Sequence, residues 1–176
     1  MSIRYTVVES PIGRVLCAST DRGLCAVMVA AKGDLKSARA LEGELRAEFP
    51  EASIERDDRS APSHVSVVRQ CAEGRPIDSD VPLDVQATAF QWKVWRALQQ
   101  IPHGETRSYK QVARGIGRPR AVRAVARACA TNPVALVVPC HRVVRDDGAL
   151  SGYRWGKNVK RALLEEEKKR IRGDDL

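Results

Sequence analysis

The chain has 176 residues, 43% of them apolar, with a formal net charge of +8. That is enough for one sizeable domain or two small ones, and no apolar run approaches the roughly 20 residues of a membrane span. Five cysteines (Cys17, Cys25, Cys71, Cys129, Cys140) are odd in number and form no C-x-x-C pair. This argues against a disulfide frame or a thiolate zinc site and for reduced thiols in a cytosol. No charged n-region with a following apolar h-region opens the sequence, so no secretory signal is expected.

The charge is unevenly spread. Residues 1–84 carry 11 Lys/Arg against 14 Asp/Glu, a net of −3, while residues 85–176 carry 19 against 8, a net of +11. A basic half beside an acidic one implies that the second half meets a polyanion.

Residues 3–8, 13–19 and 23–30 read as three strands joined by tight turns at Ser10-Pro11-Ile12-Gly13 and Asp21-Arg22-Gly23, hence an antiparallel meander. Asp34 is the expected cap of a helix through Phe49, with Leu35, Ala38, Leu41, Leu45 and Phe49 on its inner face. Residues 51–61 read as loop or edge strand. A second helix is expected from His64 to Glu73, with Ser63 as its cap and Gly74 as its stop. Residues 1–83 form a sheet-plus-helix scaffold, and the stretch Pro76 to Pro82 links it to a second domain, 84–176.

Thr88 and Gln91 make a capping box, and the helix behind them carries Phe90, Val94, Leu98 and Ile101 as a core face. Ser108 and Gln111 make another, opening a short helix that Gly115-Ile116-Gly117 breaks. A further helix is expected from Pro119 to Ala130. Short helix, glycine turn, second helix is the helix-turn-helix pattern. Arg120, Arg123 and Arg127 share one face of that second helix, and Ala121, Ala124 and Ala128 keep its surface small enough to approach a groove. Arginines so spaced suit phosphates and base edges.

Val137-Val138-Pro139-Cys140-His141-Arg142-Val143-Val144 reads as a buried, extended run that holds one cysteine. A thiol becomes nucleophilic as thiolate and needs a base. His141 is adjacent, but neighbours in an extended segment point to opposite sides, so contact needs a turn or a bridging water. In the last helix, Val159 to Arg170, Lys160, Leu163 and Glu167 share a stripe, while Glu165 and Glu166 pair outward with Lys169 and Arg170. Glu167 is thus an inward carboxylate available to orient His141. Residues 173–176 are expected to fray. A thiolate beside a helix-turn-helix in a basic domain suggests chemistry on a flipped-out base. The competing readings are a non-reactive helix-turn-helix DNA-binding module with an inert Cys140, and a Cys-His hydrolase.

The stretch from Thr88 to Glu167 closely resembles the O6-alkylguanine–DNA alkyltransferase family. The resemblance rests on Pro139-Cys140-His141-Arg142-Val143, Ser108-Tyr109, Ala121-Val122-Arg123-Ala124-Val125, Asn132-Pro133 and Gly152-Tyr153; the first 83 residues match more loosely, through Ser10-Pro11-Ile12-Gly13. It implies an α+β chain: a ribonuclease-H-like N-terminal domain with a three-stranded antiparallel sheet, and a mostly helical, winged-helix-like C-terminal domain. It implies irreversible, stoichiometric transfer of an alkyl group, typically methyl, from O6-alkylguanine and O4-alkylthymine in duplex DNA to Cys140. The implied roles are activation of Cys140 through a water by His141, orientation by Glu167, bracing by Asn132, and a proton from Tyr109. Arg123 would fill the vacated stack, with Arg120, Ala121, Ala124 and Arg127 along the DNA, and Val143, Ser151 and Tyr153 would line the base pocket. Trp155 stands where some relatives have glycine, so the pocket is expected to be narrowed against benzyl groups. Cys25 matches one zinc-ligand position of some relatives without a full set, so neither metal nor cofactor is expected. The protein is expected to be a cytoplasmic monomer without a membrane partner.

Overall fold

The structure is a computed structural model that describes residues 1–59 and 63–173, apart from the Ser63 side chain. β1 (Ser2–Ser10), β2 (Gly13–Ser19) and β3 (Leu24–Ala31) form the expected antiparallel meander. The sheet is wider than the three strands expected. β4 (Ser53–Arg56) adds to β1 in parallel, giving the order β3-β2-β1-β4.

Side chains alternate across a strand, and here both faces are buried. Val15, Cys17, Val27 and Val29 face one apolar cluster, and Leu16, Ala18, Ala26 and Met28 face another. The second cluster is closed by α1 (Ala38–Glu48) through Leu41 and Leu45. α1 starts later than expected. Its cap is Ser37, whose hydroxyl accepts from Ala40 N–H at 3.2 Å, while Asp34 instead accepts from Lys36 N–H at 3.0 Å. Leu35 consequently lies outside the helix, 99% exposed.

The first cluster joins the two halves of the chain. It takes Val65, Val68 and Cys71 from α2 (Ser63–Ala72), Val94, Trp95 and Leu98 from α3 (Ala89–Gln99), and then Val125, Val138 and Cys140. The Ser63 side chain, expected as a cap, lies outside the described residues. The outer edge of β3 is covered by later chain: Leu24 N–H donates to Pro82 O at 2.8 Å, and Val27 N–H donates to Pro133 O at 2.9 Å. A covered edge cannot recruit a foreign strand.

The capping boxes at Thr88 and Ser108 are both formed. α4 (Tyr109–Gly115) and α5 (Val122–Ala130) make the helix-turn-helix. α5 begins at Val122 and not at Pro119, because Ala121 N–H bonds back to Arg118 O at 2.8 Å and holds that stretch in a turn. Arg120 therefore precedes the helix. Ala128 faces inward, 3% exposed, and its carbonyl accepts from the Trp95 indole N–H at 2.9 Å. β5 (Arg107–Ser108) pairs in parallel with β6 (Val143–Val144). α6 (Lys157–Arg172) is longer than expected at both ends, and its outward pair is Lys169 with Glu166 at 2.8 Å. Gly173 closes it in a left-handed conformation, and residues 174–176 lie outside the described set.

Gly74 fits α2 against α6. Its φ is +69°, and a Cβ there would lie 2.4 Å from the carbonyl carbon of Glu166. Gly74→Ala is expected to lower the unfolding free energy by about 1–3 kcal/mol, read as a lower urea midpoint at unchanged m-value. An unmoved midpoint would show that this contact is slack.

Candidate active site

Residues 132–139 deliver Cys140 to the interior. Asn132 is buried, and its side chain holds three points: Oδ1 accepts from Val134 N–H at 3.0 Å, and Nδ2 donates to Val138 O at 2.9 Å and to Cys140 Sγ at 3.3 Å. Leu136 sits at φ +75° within this loop. A left-handed conformation costs a non-glycine residue roughly 1–2 kcal/mol, so the loop is held by its hydrogen bonds and burial.

Cys140 opens a 3-10 turn, Cys140–Arg142, where the sequence suggested an extended run. Arg142 N–H donates to Pro139 O at 3.0 Å to close it. The turn sends His141 towards α6. His141 Nε2 lies 2.7 Å from Glu167 Oε1, with both side chains buried. Two further groups converge on the same carboxylate. Arg142 reaches it through Nε at 3.1 Å and a terminal nitrogen at 2.9 Å, and Gly104 N–H donates to Oε2 at 3.1 Å. The Arg142 guanidinium also donates to Ile101 O at 2.9 Å.

This convergence sets the charges. Burial pushes the Glu167 carboxyl up, but His141 and Arg142 outweigh it and hold it at about 2. An ionised carboxylate only accepts, so the proton of a neutral His141 is assigned to Nε2 from this hydrogen-bond network. Burial keeps His141 below its ordinary value, hence neutral. Its Nδ1 is then a free lone pair, buried and without a hydrogen-bond partner. The thiol itself is 4% exposed, and burial pushes its pKa up against the pull of Asn132 and Lys160. At rest both side chains are neutral, a thiol at Cys140 and an imidazole at His141.

The β5–β6 pair aligns Ser108, the residue before Tyr109, with Val144. It thereby brings the start of α4 to the chain just past the thiol. Val143 is fully buried. The Tyr109 hydroxyl is hydrogen-bonded to Ser151 Oγ, which also accepts from Lys160 Nζ at 3.0 Å. The Tyr153 hydroxyl is buried without a good hydrogen-bond partner, and its pKa is pushed up by burial and by Cys140. Arg123, Ala124 and Arg127 are exposed on α5, and Arg120 is exposed in the turn before it; Ala121 is half-buried at the helix start.

Trp155 lies elsewhere. It lines a groove with Val29, Glu44, Ala47 and Glu48, and the Arg154 guanidinium stacks 4.8 Å from its ring centre. An indole turned against α1 gives no geometric basis for a narrowed pocket at the thiol. A cavity of about 650 Å³ lies behind the His141–Glu167 pair, lined by Arg142, Glu167, Trp92 and the 75–83 segment, and Cys140 does not line it. Among the described residues no group of three or more His, Cys, Asp or Glu side chains could hold a metal.

Two functional-looking residues escaped the sequence reading. Arg142 follows His141 within an apolar run, and a buried carboxylate on α6 called for such a partner. Lys160 was seen on the Glu167 stripe without an assigned purpose, yet it is only 1% exposed.

Similarity to known proteins agrees with this geometry. The profile of "6-O-methylguanine DNA methyltransferase, DNA binding domain" matches residues 89–169. The chain is 46% identical over 167 residues to the bifunctional transcriptional activator/DNA repair enzyme Ada of Escherichia coli, covering 95% of this chain and 46% of that protein. It thus spans about half the length of Ada and of the Salmonella typhimurium regulatory protein ada, likewise matched over 46% of its length. It is 39% identical to the methylated-DNA--protein-cysteine methyltransferase of Methanosarcina barkeri, over 96% of this chain and 99% of that one. The crystal structure of Mycobacterium tuberculosis OGT in complex with DNA superposes with a TM-score of 0.75 at 37% identity, covering 97% of this chain and 94% of that one. A buried Cys140 beside a His141–Glu167 pair and a helix-turn-helix, matched along almost the whole chain, places the protein in the methylated-DNA–protein-cysteine methyltransferase family.

Proposed function

We propose that this chain repairs DNA by direct reversal, moving an alkyl group, chiefly methyl, from O6-alkylguanine to Cys140 Sγ, with O4-alkylthymine as a further substrate. The observation that carries the reading is the His141 lone pair. Nε2 is spoken for by Glu167, so Nδ1 is the free base on the residue that follows the acceptor thiol. No hydrogen bond joins His141 to Cys140 directly among the described residues, and a water between them is the fitting relay.

The thiol proton passes through the water to Nδ1, leaving a thiolate beside an imidazolium that Glu167 stabilises. The sulfur attacks the alkyl carbon, forming an S–C bond as the C–O6 bond breaks. The electron pair left on guanine takes a proton from the Tyr109 hydroxyl. The thioether has no easy hydrolysis, so each molecule acts once. The substrate is duplex DNA, because a basic half presents Arg120, Arg123 and Arg127 to phosphates, and a base reaches a buried thiol only after leaving the stack. Arg123 is the residue to fill the gap it leaves. No helix among the described residues is long and apolar enough to cross a membrane. Five free, buried cysteines suit a reducing cytosol, and the chain acts as a monomer.

Incubation with duplex DNA that carries O6-methylguanine should add one methyl mass to the peptide containing Cys140, and Cys140→Ala should add none. No gain, or an equal gain on the variant, would sink the reading and leave a non-reactive DNA-binding module. Arg123→Ala should slow transfer on duplex by about tenfold or more, given the few kcal/mol of unstacking involved, and hardly at all on a single-stranded oligonucleotide. Equal slowing on both would move Arg123 out of the stack.

The triad also leaves a mark on stability. The Glu167 carboxyl lies at about 2 in the folded chain against an ordinary 4.5, so the stability it contributes is complete above pH 4.5 and is lost as pH falls towards 2. His141 lies below its ordinary 6.5, so it too contributes above that pH and loses the contribution as pH falls. The melting temperature should therefore decline in both windows on acidification, and Glu167→Gln should erase the lower one. An unchanged lower window in that variant would show the carboxylate to be unpaired in solution.

A further inference from the structure

A polar chain runs from α6 to α4 that the steps above do not use. Lys160 is 1% exposed. Its Nζ donates to Ser151 Oγ at 3.0 Å, and Ser151 Oγ is hydrogen-bonded to the Tyr109 hydroxyl. The ammonium also lies 5.9 Å from the centre of the Tyr109 ring. Among the described residues, the titratable groups that face it are Cys140 and His141 in the 3-10 turn, Cys129 on α5 and Tyr109 on α4, and none of these is a carboxylate. A buried cation without a counter-ion is costly, so a packing role alone explains it poorly.

We propose that Lys160, acting through Ser151, resupplies the proton that Tyr109 gives to the departing guanine; this rests on the alkyl-transfer reading above. An ammonium only donates, and a serine hydroxyl has one proton. Lys160 therefore fills an acceptor site on Ser151, and in the proposed relay the serine proton is donated to the Tyr109 oxygen. That leaves the Tyr109 proton free to point at the base. When Tyr109 releases it, the phenolate takes the Ser151 proton and Ser151 takes one from Lys160. The net change is an ammonium proton delivered to guanine and a neutral amine left behind, with the thiolate charge consumed in the new S–C bond. Acidities favour that direction. Burial draws Lys160 below its ordinary 10.5 and raises Tyr109 above its ordinary 10.0, and both shifts ease proton transfer from the ammonium towards the phenolate. Ser151 and Lys160 are positioning residues here, while Tyr109 alone meets the base.

The test is the single-turnover rate of methyl transfer from O6-methylguanine duplex, measured from about pH 6 to about pH 10 across the ordinary lysine and tyrosine range. The wild-type rate should fall on the alkaline side as Lys160 loses its proton. Ser151→Ala should slow transfer by about tenfold, a modest part of what a general acid supplies, and move the alkaline fall to higher pH. Ser151→Thr, which keeps the hydroxyl, should restore both rate and profile. Lys160→Met should behave as Ser151→Ala does; if it does not fold, the serine pair decides alone. Affinity of the serine variants for undamaged duplex, which leaves the base pocket empty, should match wild type by filter binding. Wild-type rate and an unmoved alkaline fall in Ser151→Ala overturn the relay, as does failure of Ser151→Thr to recover. Absence of methyl transfer by the wild-type protein overturns the underlying reading instead, and the relay with it.

Discussion

One buried carboxylate organises the site. Glu167 is brought into the interior by α6 and satisfied there by His141, Arg142 and Gly104. Those donors come from the 3-10 turn and from the loop after α3, so two separate parts of the chain close on an anion carried by a third. Removing one member of a buried ion pair typically costs about 3–5 kcal/mol, because the remaining charge is stranded. The same bonds that fix the position of the turn also fix the tautomer of His141. Structure and reactivity are therefore set by one interaction, and neither can be altered without the other.

The remaining machinery hangs from that point by short connections. The 3-10 turn runs straight into β6, and its pairing with β5 carries the position of the thiol to Tyr109 at the head of α4. α5 is fastened to α3 by the Trp95 indole on the Ala128 carbonyl. The face of α5 that carries Arg123 is thus held in register with a thiol on the inner side of the same domain. The N-terminal sheet contributes support, through the β3 edge that receives both the linker and the loop leading to Cys140.

The sequence carried much of this arrangement. Alternation and turn chemistry gave the meander, two capping boxes gave the helix starts, and the stripe Lys160-Leu163-Glu167 predicted an inward carboxylate that the structure places on His141. What escaped has local physical causes. Asp34 and Ser37 are both competent caps, and pattern alone does not rank them. Pro119 suits a first helical turn, but the bond from Ala121 N–H to Arg118 O is a turn contact that propensity cannot foresee. Four valines around Cys140 read as a strand, because β-branched residues favour extension. The tertiary pull of Glu167 on His141 and Arg142 selected a 3-10 turn. The resemblance puts Trp155 at the pocket because some relatives have glycine there, whereas its indole packs against α1, more than a hundred residues earlier.

The depth of Cys140 has one more consequence. A thiol 4% exposed, with its ionisation suppressed by burial, is a poor target for dissolved oxidants and electrophiles, since these react with accessible thiolate. Under the proposed single-use reaction, the protein would have no means of recovering from an accidental encounter. Burial would then serve as a lock whose key is a nucleotide turned out of its helix, and suppressed ionisation at rest would keep the single dose intact until a lesion arrives.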